Sequence, residues 1–325
     1  MICHDPLYGT VPVAEPLLIE LLGSAALRRL HGVLQHGVTA LLGITKPITR
    51  FEHSVGVMLL VRRVGGRLRE QVAALLHDVS HTAFSHVIDH VFHDPGAQSY
   101  HERRKEWWLG QTDAPAVLAR HGLEWQDFVD DEQFPLLEQP LPRLCADRLD
   151  YFLRDGSAMR IITADDVRAV LAHLVVREGR LALDDASVAA MLGERFMAAD
   201  DASWSNPDEV VIYELAARAI RAALERHVIK EGDLWGTDAA LWERLRRDDD
   251  AEVVRWVRLT ERRPEYVTDV EAPTIRVRPK VRAIDPDVAT PGGLRPVSEL
   301  DAGFRDKRDR YVRRKAEELS VRLLG

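Results

Sequence analysis

Ten of the chain's thirteen histidines lie between His31 and His121, and three histidines are followed directly by aspartate. Imidazole and carboxylate together bind borderline-hard divalent cations, so His4-Asp5, His77-Asp78 and His93-Asp94 are all candidate ligand pairs. Context separates them. His4-Asp5 runs into Pro6 near the terminus and His93-Asp94 into Pro95-Gly96, and both read as turns. His77-Asp78 instead ends the apolar run Val72-Ala73-Ala74-Leu75-Leu76, where a buried helix end would hold adjacent side chains rigidly. His53, in Arg50-Phe51-Glu52-His53-Ser54, opens another apolar helix. Packing the two helices side by side would bring an imidazole to an imidazole-carboxylate pair, and a later acid, Asp147, would complete the set. Two imidazoles and two carboxylates suit one divalent ion out of Mn, Fe, Mg, Co, Ni or Zn. Such an ion keeps open positions for water and a phosphoryl oxygen.

The elements that must position these groups are mostly helices. Apolar residues recur at three- and four-residue intervals over 16–22, 24–34, 52–63, 69–76, 84–92 and 144–153, and again over 209–227. Thr163 and Asp165 have the character of N-caps. Strand signals are few. Residues 174–183 read as a short hairpin turning at Glu178-Gly179, and 273–284 alternate apolar and basic residues as a half-buried edge strand would. Gly292-Gly293 reads as a loop and 306–324 as a charged amphipathic helix. The expectation is a mainly α fold: a helical bundle with a small β-hairpin or sheet and C-terminal helices packed against it. Residues 1–160 form the catalytic core and 161–325 a helical and small-sheet part packed on it.

At these residues the chain resembles the HD-domain superfamily of metal-dependent phosphohydrolases, in the branch of the deoxynucleoside triphosphate triphosphohydrolases. The likeness is collinear over 5–155. Asp5-Pro6-Leu7-Tyr8-Gly9-Thr10-Val11 resembles the opening DP-x-HG-x-I, with Tyr8 in place of histidine. Leu27-Arg28-Arg29-Leu30 and Gln35-His36-Gly37-Val38 resemble QRLR and KQLG. Arg50-Phe51-Glu52-His53-Ser54-Val55-Gly56-Val57 is similar to RFEHSLGV, and the stretch from Ala73 through His77-Asp78 to Ser85-His86 to ALLHDIGHGPFSH. His101-Glu102 and the segment from Asp147 to Asp155 match further motifs. The resemblance implies His53, His77, Asp78 and Asp147 as metal ligands and His81, His86 and His101 as proton-handling groups in the phosphate cleft. It implies Arg50 and Arg148 as phosphate clamps, and Gln35, Tyr151 and Asp155 as contacts to sugar or base. His31, His36, His90, His93 and His121 receive no role. Asp150 and Glu52 read as orienting or surface residues, Cys145 as a small core residue, and Trp107-Trp108 as packing.

Beyond residue 160 the likeness fades. The branch carries a basic, histidine-rich helix there, whereas Glu194-Arg195-Phe196-Met197 followed by Asp200-Asp201 offers one arginine, no histidine and two aspartates in that stretch. A triphosphate brings about four negative charges, each costly to bury unpaired. The first expectation remains a dNTP triphosphohydrolase. The alternatives are a nucleotidase or phosphodiesterase of the same fold, or a nucleotide-sensing regulatory protein.

The bulk composition narrows the field. With 325 residues, 46% hydrophobic, the chain can build one sizeable core and a second, smaller lobe. A formal net charge of −8 with Arg interleaved among Asp and Glu argues against a nucleic-acid binder, which needs a dense basic face. Cys3 and Cys145 stand far apart, which fits a reducing compartment and excludes a disulfide scaffold. The opening residues lack a signal-peptide layout, and no apolar run has the length of a membrane span. A cytoplasmic protein acting on a nucleotide or other small phosphate substrate is expected. A homo-oligomer is expected too, with 209–227 and 306–324 offering apolar faces.

Overall fold

The computed structural model describes residues 1–93, 96 and 99–324. The chain is 56% helical with small sheets, so it is mainly α as the periodicity predicts. The helix Arg50–Arg63 starts where Thr49 and Glu52 satisfy each other's backbone: Thr49 N donates to Glu52 Oε2 at 2.8 Å and Glu52 N to Thr49 Oγ1 at 3.1 Å. It turns at Gly65, whose φ of +82° suits glycine, into the helix Leu68–Leu76. The two pack as an antiparallel pair, burying Val57, Leu60 and Val61 against Val72, Leu75 and Leu76.

The helix Ala146–Ala158 crosses this pair at Gly56. A Cβ on Gly56 would stand 1.8 Å from Arg154 Nη2 and 2.2 Å from Asp150 Oδ1, so only the bare glycine backbone permits the approach. One hydrophobic cluster runs from Tyr8 and Leu18 through Leu75 and Leu149 to Phe196 and Phe304. A second, around Phe84, Ile220, Trp242 and Val257, supports the loop that follows Asp78.

Among the described residues the strands form three small sheets. Ile2–Asp5 pairs with Gly9–Pro12. The hairpin Leu174–Arg177 with Arg180–Leu183, turning at Glu178 and Gly179 as predicted, extends through a parallel bridge from Leu183 to Val288 into a second hairpin. Tyr266–Thr268 and Ile275–Val277 flank Leu319–Leu323, both antiparallel to it. No helix among the described residues is long and apolar enough to cross a membrane.

Several local expectations need correction. The helix predicted over 24–34 stops at Arg29. A short 3-10 turn follows, and Leu34 then bridges Thr49 in extended form. In the 84–92 stretch only Val87–Val91 is α-helical, because Phe84 and Ser85 hold left-handed φ values of 62° and 50°. The strand expected over 273–284 covers only Ile275–Val277, ending before Pro279, which has no N–H to give a ladder. Gly292 and Gly293 turn a hairpin between Asp287–Thr290 and Gly293–Pro296. The helix expected over 306–324 runs instead as Ala302–Lys315, and Leu319–Leu323 is a strand whose apolar residues alternate. The apolar face of 209–227 is core, packed against Ala251–Arg262 and Val87–Val91, and is not open to a subunit contact. Of the turn expected at His93-Asp94-Pro95-Gly96, Asp94 and Pro95 lie outside the described residues.

Candidate metal centre and substrate cavity

His53 sits on the first turn of Arg50–Arg63, His77 caps the end of Leu68–Leu76, and Asp147 lies in the first turn of Ala146–Ala158. Three separate elements thus aim at one point. His53 Nε2 lies 2.9 Å from Asp147 Oδ1 and 3.2 Å from His77 Nε2, and His77 Nε2 lies 3.5 Å from the same Asp147 oxygen. Asp78 flanks both rings, at 3.5 Å from His77 Nε2 and 3.7 Å from His53 Nε2. His53, His77 and Asp147 form a cluster compact enough to hold a metal ion.

The far side of each imidazole decides which nitrogen faces this point. His77 Nδ1 donates to the Ala74 carbonyl at 2.7 Å, and His53 Nδ1 donates to Asp150 Oδ2 at 2.7 Å. Both Nε2 atoms therefore face each other and Asp147 Oδ1. Donor atoms each about 2.1 Å from a shared ion, at right angles, stand about 3.0 Å apart, close to what is found. The donor set fits a divalent cation. The electrostatics agree: burial disfavours a charge on His53, yet the hydrogen bonds to Asp147 and Asp150 and the charge of Asp78 lift its pKa to about 10. The site draws positive charge.

Asp147 also approaches Glu138 and Cys145 in a second cluster. There the positive charge is the protein's own, since Arg148 donates to Glu138 Oε1 at 3.1 Å and to Cys145 Sγ at 3.2 Å.

Beside the centre, three imidazoles stack. His81 and His101 lie face to face with centroids 3.7 Å apart, and His86 sits edge-on to both. His81 Nε2 lies 3.2 Å from Asp78 Oδ1. Asp78 stays well below the usual carboxylate range because Arg50, His77 and His81 outweigh its burial. It therefore accepts the His81 Nε2–H. Burial and then Arg50 hold His81 down at about 3, and burial first of all holds His86 and His101 well below the usual histidine range. All three are neutral. Arg50 is fixed by Asp78 Oδ2 at 2.7 Å and Ser85 Oγ at 3.0 Å, which ties it to the strained Phe84-Ser85 turn.

A cavity of about 480 Å3 brings together every residue singled out from the sequence for metal, proton or substrate contact. Gln35 and Asp155 lie at its wall with Gln35 Oε1 and Asp155 Oδ1 buried and without a hydrogen-bond partner among the described residues. Tyr151 stands perpendicular to Trp204. Arg148 lines the cavity too, with guanidinium hydrogens also given to the carbonyls of Arg143 and Gln139.

Sequence reasoning missed a second group of lining residues. The later helix facing the cavity is Pro207–Glu225, through Glu209, Val210 and Tyr213, whereas Arg195 on Ala186–Ala199 is exposed. His36, given no role, has Nε2 3.1 Å from Asp155 Oδ2 and Nδ1 3.6 Å from Glu209 Oε2. Burial opposes its charge, but those two carboxylates raise its pKa to about 10. Lys280 and Arg282 enter from the segment after Ile275–Val277. The alternation of apolar and basic residues over 273–284 was the available signal, and it suggested an edge strand instead of a cavity wall.

Comparison with known proteins agrees with this geometry. The HD domain model matches residues 50–155, which contain all four candidate ligands. The metal-dependent phosphohydrolase cns2 of Cordyceps militaris is 43% identical over 303 residues, covering 91% of this chain and 87% of that protein. The deoxynucleoside triphosphate triphosphohydrolase SAMHD1 of Danio rerio is 25% identical over 203 residues, 47% of this chain and 32% of that protein. A phosphohydrolase structure from Bacteroides thetaiotaomicron shares the fold with a TM-score of 0.69 at 17% identity, covering 99% of this chain and 98% of that one. The chain belongs to the HD-domain family of metal-dependent phosphohydrolases.

Proposed function

We propose that the chain hydrolyses the phosphoester of a nucleotide-like substrate carrying a single phosphate, with His53, His77, Asp78 and Asp147 holding one divalent ion. The observation that carries the reading is the convergence of the two Nε2 atoms and Asp147 Oδ1 within 3.5 Å, next to three neutral histidines. A bound ion would supply Lewis acidity to a phosphoryl oxygen and to water. The rest falls to the protein. Arg50, held against Asp78, offers fixed positive charge beside the centre. His81 gives its Nε2–H to Asp78, which leaves Nδ1 as a lone pair without a partner among the described residues. That nitrogen can accept a proton or a hydrogen bond, and the arrival of a phosphate's negative charge favours protonation of the stack. Gln35 Oε1 and Asp155 Oδ1 are acceptors in want of donors, which the hydroxyls of a sugar supply.

The preference for one phosphate rests on charge. Among the described residues, nine carboxylates and five Lys or Arg side chains line the cavity. Even with His36 charged and a divalent ion added, the lining has no surplus of positive charge, which opposes the roughly four charges of a triphosphate. Hydrolysis of a deoxynucleoside triphosphate is the second reading, favoured by the likeness to SAMHD1. A phosphate-release screen over nucleoside mono-, di- and triphosphates with Mn, Mg, Co and Ni, run beside Asp78→Ala, separates the two. Orthophosphate from monophosphates is expected. Tripolyphosphate from a dNTP would overturn the single-phosphate reading, and no metal-dependent release from any nucleotide would overturn both.

A further inference from the structure

We infer that Lys280 binds the substrate's phosphate, so that the active site is completed by a segment far outside the residues that match the HD domain. The inference rests on the phosphohydrolase reading for its substrate class and on independent geometry for the residue. The other described cavity cations are engaged: Arg50 with Asp78 at 2.7 Å, Lys105 with Asp131 at 2.5 Å, Arg148 with Glu138 at 3.1 Å, and Arg282 4.0 Å from Asp200. Lys280, partly buried in the same wall, forms no hydrogen bond or ion pair with any described residue. Glu102 and Glu138 act on its charge only from beyond contact distance, and a half-buried ammonium with no partner in contact, kept in a cavity beside three neutral imidazoles, makes sense if an anion arrives there.

The segment is also built to hold a position. On one side, Ile275–Val277 is laced to Leu319–Leu323, with Ile275 and Val277 buried. On the other, Ala283 and Ile284 are buried in the main core and Asp285 N donates to the Pro142 carbonyl at 2.8 Å. Lys280 therefore hangs between two anchors, and burial lowers its pKa, consistent with a charge that wants a partner. A lysine presents a compact charge with rotatable donors, well matched to a tetrahedral phosphate.

The test uses the full chain loaded with its activating metal, with inorganic phosphate as the probe. Lys280→Gln and Lys280→Arg are compared with Arg278→Gln, which removes an exposed cation from the same segment. Lys280→Gln should raise KM and the phosphate inhibition constant about tenfold to a hundredfold, the loss of one hydrogen bond to a charged group. Bound metal and the unliganded Tm should stay as in the wild type, while stabilisation by phosphate in a thermal melt should shrink. Lys280→Arg should recover part of both, and Arg278→Gln should change neither. Unaltered KM and phosphate protection in a folded Lys280→Gln protein would overturn the inference while hydrolysis stood. If instead the wild type released phosphate from no substrate yet was protected by phosphate through Lys280, the binding role would stand and the phosphohydrolase reading would fall.

Discussion

His53 and Asp150 meet across two helices in a 2.7 Å hydrogen bond, and Asp150 also accepts from Tyr8 Oη at 2.7 Å and Arg154 Nε at 2.7 Å. Asp150 is fully buried and thus acts through His53: it holds the Nδ1–H tautomer and leaves Nε2 facing the metal position. Asp150→Asn preserves the shape but offers the ring an amide whose oxygen and NH2 compete for the same bond. Divalent-ion affinity is expected to fall about 10–100-fold. Isothermal titration with Mn and with Ni would read it, and an unchanged affinity would show that the tautomer is fixed elsewhere.

Gly56→Ala tests the helix crossing that brings Asp147 to His53. The new methyl would overlap Arg154 Nη2 and Asp150 Oδ1, both parts of a buried ion pair that cannot move without exposing a charge. Overpacking of this kind costs about 3 kcal/mol. Gly23→Ala, whose Cβ would meet only backbone oxygens at 3.6 Å, should stay within about 1 kcal/mol of the wild type. Urea midpoints of the two variants would decide whether the close approach matters.

The contrast between the early and late halves of the site follows from sequence distance. His53, His77 and Asp147 each sit at a helix end that local apolar periodicity announces, so their convergence could be read from pattern and motif. Lys280 and His36 could not. Lys280 reaches the cavity because Ile275–Val277 pairs with Leu319–Leu323, a contact between segments more than forty residues apart that no local period encodes. His36 acquires its role from Glu209 on a helix 173 residues away. The charged run 306–324 hid a strand because Leu319 and Leu323, four residues apart, also fit a helical face that continues Ala302–Lys315, and only Val321 between them marks the alternation.

Removal of the ion should loosen the three elements it joins. A ligand that binds only the folded chain stabilises it by RT ln(1 + [L]/Kd), about 2.7 kcal/mol at a hundredfold excess over Kd. Chelation should therefore lower Tm by several degrees, and restoring Mn, Co or Ni should return it. His77→Ala should melt at the same temperature with and without added metal. A chelator-insensitive wild-type Tm, with metal shown to be absent, would count against a shared ion.

The last prediction concerns His36 and alkaline pH. Its imidazole faces Asp155 and Glu209, with Ser203 Oγ at 3.4 Å from Nδ1 and Tyr213 Oη donating to its carbonyl. The folded pKa of about 10 lies above the ordinary histidine value of 6.5. A group whose pKa is raised by folding stabilises fully below its unfolded pKa and loses that contribution as pH rises through the folded value. The wild type should therefore lose roughly 3–5 kcal/mol of unfolding free energy through His36 between about pH 6.5 and pH 10. Other groups titrate in that window, so the difference between the wild type and His36→Asn isolates the term. At pH 6 the variant should be the less stable, since Asp155 and Glu209 lose their shared cation. By pH 10 the two curves should draw together. Parallel curves across the whole range would mean that His36 is neutral in the folded protein, and the two carboxylates would then have to find their positive charge in another group.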